Sequence, residues 1–73
     1  MKSVGELLKD TSPWLIGLWR FREAGKPGKW CATYAFNGNY YDVSQKNSPN
    51  LALMGVLDGV NRLRMKSYRE DYN

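Results

Sequence analysis

At 73 residues the chain has room for one domain, and a domain this short buries only about 60% of the surface its unfolded form exposes. An apolar content of 42%, with three Trp, five Tyr and two Phe, excludes disorder, and the lone Cys31 excludes an internal disulfide and suits a reducing, cytoplasmic setting. The formal charge of +4 admits an acidic partner without demanding one, and no apolar run approaches the roughly 20 residues of a membrane span.

Met1-Lys2-Ser3 leads into a polar segment instead of a signal-peptide core, so the chain reads as unprocessed. Ser3-Val4-Gly5-Glu6 fits a capping box, with Val4, Leu7 and Leu8 on one apolar face. A short helix follows, ending near Asp10. Residues 14–22, Trp-Leu-Ile-Gly-Leu-Trp-Arg-Phe-Arg, read as a strand closed by Ala24-Gly25-Lys26-Pro27-Gly28. The competing reading is a helix started by Ser12-Pro13 and stopped by Gly25, with Trp14, Leu15, Leu18 and Phe21 at tolerable helical spacing.

Lys29 to Phe36, Asn37-Gly38, and Asn39 to Ser44 form the clearest local pattern, two aromatic-rich strands around a turn that accepts positive φ. That turn sets Phe36 opposite Asn39, Ala35 opposite Tyr40, Tyr34 opposite Tyr41, Thr33 opposite Asp42 and Ala32 opposite Val43. Opposed residues share a face. Trp30, Ala32, Tyr34, Phe36, Tyr41 and Val43 then form the core side, and Cys31, Thr33, Ala35, Tyr40, Asp42 and Ser44 the other.

Ser48-Pro49 starts a second helix predicted to run to about Lys66, with Ala52, Leu53, Val56, Leu57, Val60 and Leu63 in one stripe. Gly55 and Gly59 flank that stripe. Two helical glycines imply a close approach, by the domain's own sheet or first helix before a second subunit. The polar stretch 67–73 reads as a fraying tail.

The predicted architecture is a single two-layer α+β domain, α-β-β-β-α, with a three-stranded antiparallel sheet and helices on one face. Its order and length resemble the double-stranded-RNA-binding domain in topology. Gly25-Lys26-Pro27-Gly28-Lys29 stands where that family carries Gly-Pro-x-His, and Gln45-Lys46-Asn47-Ser48-Pro49 where it carries a lysine-rich phosphate clamp.

The absence of His removes the usual general base and the commonest zinc ligand, and one Cys builds no thiolate metal site. Of the seven acids, Glu6, Asp10, Glu23, Asp42, Asp58, Glu70 and Asp71, only the last pair are close in sequence. The chain therefore reads as a non-enzyme without metal or cofactor. The expected function is docking onto a larger protein, as a small regulator or inhibitor of the kind common among phage and mobile-element products.

With Trp19 and Phe21 assigned to the core, the first strand sends Ile16, Leu18, Arg20 and Arg22 to the open face beside Tyr40, a hot-spot composition. Packing of Ile16 and Leu18 in a homodimer is the duller use of that face. Leu51, Met54 and Met65, on the back of the second helix, form a second candidate patch. The alternative partner is nucleic acid, held by Arg20, Arg22, Lys26, Lys29 and Lys46.

Overall fold

The computed structural model describes residues 2–22 and 24–72, with 67–72 described by their backbone alone. The order is α1 (Val4–Thr11), β1 (Leu15–Phe21), β2 (Lys29–Phe36), β3 (Asn39–Lys46) and α2 (Pro49–Tyr72). The strands form one antiparallel sheet in the order β1-β2-β3. The α-β-β-β-α order and the α+β class are therefore those expected, and residues 15–21 are strand, which removes the helical alternative.

Ser3 caps α1: its Oγ accepts the Glu6 backbone N–H at 3.2 Å. Glu6 completes the motif differently from the usual box, its carboxylate accepting the Ser3 hydroxyl at 3.3 Å. At the other end the buried Thr11 hydroxyl donates to the Leu7 carbonyl at 2.8 Å, so its polar atom is satisfied inside the helix. α1 packs against α2, and the Asn50 side chain donates to the Lys2 carbonyl at 2.9 Å, tying the start of one helix to the start of the other.

The β2–β3 hairpin has the predicted register, from Phe36 opposite Asn39 to Ala32 opposite Val43. Its turn needs positive φ at both central residues, and Asn37 and Gly38 adopt 51° and 81°. Ala32, Tyr34 and Val43 are buried on the core side, with Trp30, Phe36 and Tyr41 partly buried against them. The Tyr34 and Tyr41 rings stack across the strands with centroids 5.4 Å apart.

Ser48 accepts the Leu51 N–H at 3.2 Å to start α2. The helix then stays helical past Lys66 to Tyr72; the side chains of the expected tail, 67–73, lie outside the described residues. Ala52, Val56 and Val60 join the sheet-facing core, Leu53 is fully buried, and Leu57 is half-buried at the margin of the stripe. The two glycines face the sheet. A Cβ on Gly55 would come within 2.7 Å of Val43 Cγ1, and one on Gly59 within 2.8 Å of Tyr34 Cζ. The close approach they permit is thus to the domain's own strands.

The main departure from expectation lies in β1. Leu15 pairs with Tyr34 and Gly17 with Thr33, so β1 spends one residue more than β2 across that step, and Ile16 is the extra residue of a bulge. A bulge inverts the alternation beyond it. Leu18 therefore sits opposite Ala32 and Arg20 opposite Trp30, on the helix-covered side, while Trp19 and Phe21 sit opposite Cys31 and Lys29 on the open side. Leu18 accordingly packs against the sheet-facing core, together with Trp14, Leu15 and Trp30.

Candidate interaction surface

The sheet face away from α2 has small residues along its centre and large ones along its sides. Cys31, Thr33 and Ala35 occupy the middle strand, Trp19 and Phe21 stand on β1, and Tyr40 and Asp42 stand on β3. Since adjacent strands lie about 4.8 Å apart, β1 and β3 are roughly 10 Å apart across a shallow trough, with Trp19 level with Cys31 and Tyr40 level with Ala35, diagonally across it. Trp19 is 44% exposed, Phe21 47% and Tyr40 74%, which is unusual for three aromatics on one face of so small a domain. The Thr33 hydroxyl donates to Asp42 at 2.7 Å, so that carboxylate already has a partner.

At the β1–β2 loop end, Phe21, Lys26, Pro27, Lys29 and Gln45 line a depression of about 190 Å³. The Lys29 ammonium donates to the Asn47 side-chain oxygen there. Gln45 has φ 55° and lies in a second bulge, where β3 takes an extra residue between the Ala32–Val43 and Trp30–Lys46 pairs.

The residues proposed from sequence separate on this map. Tyr40 is on the open face, and Ile16 is 55% exposed at the β1 bulge. Leu18 is not on that face: the bulge turns it into the core, against the expectation. Arg20 is corrected for the same reason; it shares its side with Trp30, and its guanidinium lies across Gly28, where an added Cβ would come within 2.9 Å of Arg20 Cζ. Arg22 lies past the end of β1, exposed, beside Ala24, Gly25 and Lys26. Lys46 pairs with Trp30 on the helix side, so the five cations offered as a nucleic-acid set divide between two sides of the sheet.

The patch on the back of α2 is likewise divided. Leu51, Met54 and Met65 are 38%, 41% and 63% exposed. Met54 and Met65 stand about 16 Å apart along the helix, with the exposed Asp58, Asn61 and Arg62 between them. Trp19 and Phe21 are the surface residues that the sequence reading assigned to the core. Their one sequence signal is Gly17 beside Ile16, a glycine within a strand pattern of the kind that marks a bulge.

Among the described residues no group of three His, Cys, Asp or Glu is placed to hold a metal ion, and no helix is long and apolar enough to cross a membrane. Cys31 is half-buried in mid-strand opposite Trp19. No protein-family model, no curated protein and no solved structure matches this chain, so the likeness to the double-stranded-RNA-binding domain stays one of element order.

Proposed function

We propose that the chain is a non-catalytic binding protein that regulates or inhibits a larger protein by docking through the open face of its sheet. The observation that carries this reading is the exposure of Trp19, Phe21 and Tyr40 around a trough of small residues. Tyr and Trp dominate binding hot spots because each removes a large rigid surface from water at little conformational cost.

Charge supports a protein target over nucleic acid. A strand of nucleic acid needs cations spaced along its path. On this face Lys26 and Lys29 cluster at one end, Asp42 lies midway, and Arg20 and Lys46 belong to the other side.

The test is capture on the immobilised chain from a nuclease-treated extract, washed with salt rising from about 50 to about 200 mM. Phosphate-led binding would fall by about 10³-fold or more over that range. Docking through aromatic side chains predicts a protein retained with little change. Loss of all binding on nuclease treatment would replace this reading with the nucleic-acid one.

A further inference from the structure

We infer that the free edge of β3 pairs with β3 of a second copy of this chain, antiparallel and about a two-fold axis at Tyr41, to make one continuous sheet. The inference stands apart from the docking reading above. β3 is an outer strand, and on its neighbour β2 the Ala35 N–H donates to the Trp14 carbonyl at 2.9 Å. Ala35 therefore turns its backbone toward the β1 side, so the opposed Ala35–Tyr40 pair exchanges no bonds. Bonded and non-bonded pairs alternate along an antiparallel ladder, which makes Tyr34–Tyr41 a bonded pair and Thr33–Asp42 a non-bonded one. Tyr40 and Asp42 thus direct N–H and C=O away from the sheet, and among the described residues no group bonds to them there.

The two edges of the sheet differ as templates for pairing. Edge strands are commonly guarded by bulges and by charged side chains. β1 is guarded in both ways: its bulge falls at Ile16, and Arg20 and Arg22 add positive charge to a chain already at +4. On β3 the register is regular from Asn39 to Val43, with the bulge only beyond it, and the charged residue in that stretch is Asp42. Two copies of a basic chain therefore meet with less repulsion along β3 than along β1.

Symmetry and charge then set the register. A two-fold axis normal to the sheet keeps both open faces on one side and pairs outward-directed residues with one another. An axis at Asp42 would set two carboxylates directly opposite each other, which is destabilising, and an axis at Tyr40 would run Asp42 onto the second copy's turn at Gly38. An axis at Tyr41 instead sets Tyr40 opposite Asp42 of the second copy and Asp42 opposite its Tyr40, and each of these pairs exchanges two main-chain bonds. Asn39 to Val43 is then used in full, and the bulge beyond Val43 ends the pairing. The two Tyr40 side chains become diagonal neighbours about 7–8 Å apart, within reach of each other on a shared open face. The second copy thereby joins its trough to the first.

The experiment is sedimentation equilibrium of the full chain up to about 1 mM, with amide hydrogen exchange read by NMR at the highest concentration. The expected mass there is near that of two chains. In that species the Tyr40 and Asp42 amides should be slowed, relative to their unstructured rates, about tenfold or more beyond those of Leu18 and Arg20, the outward amides of β1. Asp42→Pro removes an outward N–H and no main-chain bond to β2, a position where an edge strand accepts proline. Verified as folded by circular dichroism, it should stay a single chain over the same range; if it does not fold, the exchange pattern of the wild type decides alone. A single chain at every concentration would overturn the inference. Association that protects Leu18 and Arg20 instead, or leaves Tyr40 and Asp42 unprotected, would overturn it too, as would a folded Asp42→Pro that associates like the wild type.

Discussion

The ring of Tyr34 lies directly against the backbone of Gly59, so close that a Cβ on that glycine would sit 2.8 Å from Cζ and nearer still to the hydroxyl. Tyr34 is 6% exposed and stacked on Tyr41, so it has no free direction in which to yield. Gly59→Ala should gain about 1 kcal/mol of helix propensity and lose about 1–3 kcal/mol to overpacking, a net loss of up to about 2 kcal/mol. Gly5→Ala in α1, where the added carbon would meet nothing closer than Ser3 Oγ at 3.9 Å, should instead be neutral or stabilising by up to about 1 kcal/mol. Urea titration of both variants checks the contrast, and combining Gly59→Ala with Tyr34→Phe should recover part of the loss.

Burial raises the pKa of the Tyr34 phenol, with Tyr41 adding to the rise and Arg62 opposing it. A phenol whose folded pKa exceeds its unfolded one near 10 contributes stability that is complete below about pH 10. That contribution is lost as pH rises through the folded value. The wild type should therefore lose more stability than Tyr34→Phe between about pH 9 and pH 11.5, the other tyrosines being common to both. Parallel stability curves would contradict the buried placement.

The bulge at Ile16 makes Trp19 a surface residue, and fluorescence reads that directly. With Trp14→Phe and Trp30→Phe, the remaining Trp19 should emit at long wavelength and be quenched by acrylamide several times more strongly than Trp30 in the matching variant. Blue-shifted, protected Trp19 emission would restore the unbulged strand and dissolve the trough.

Where local chemistry decides structure, the chain is legible. Asn37-Gly38 sets both the hairpin and its register, Ser3 and Ser48-Pro49 start the helices, and Gly55 and Gly59 announce a close contact that the sheet supplies. Tyr40 falls on the open face because its register follows from the turn two residues before it. The facing of β1 depends on something non-local. Either parity of Leu18 and Trp19 satisfies strand propensity, and the choice between them is made by the bulge at Ile16. One inserted residue then moves Leu18 and Arg20 to one side and Trp19 and Phe21 to the other. The charge grouping failed for the same reason, since proximity in sequence says little about which side of a bulged sheet a lysine or arginine occupies.

Gln45 offers a test of the backbone at the second bulge. Glycine tolerates φ near 55° at no steric cost, so Gln45→Gly should leave stability unchanged or raise it by up to about 1 kcal/mol. A thermal melt checks the direction, and a clear loss of stability would mean that the Gln45 side chain supports the bulge.

The central claim is that the open sheet face is where the partner docks. The most direct measurement is quantitative mass spectrometry of proteins captured from a nuclease-treated extract by the wild type, by Trp19→Ala with Tyr40→Ala, and by Met54→Ala with Met65→Ala. Loss of hot-spot aromatics costs about 2 kcal/mol or more each, so recovery of the principal protein should fall at least about tenfold on the sheet-face variant and stay near wild type on the α2 variant. Equal recovery by the wild type and a folded sheet-face variant would contradict the account.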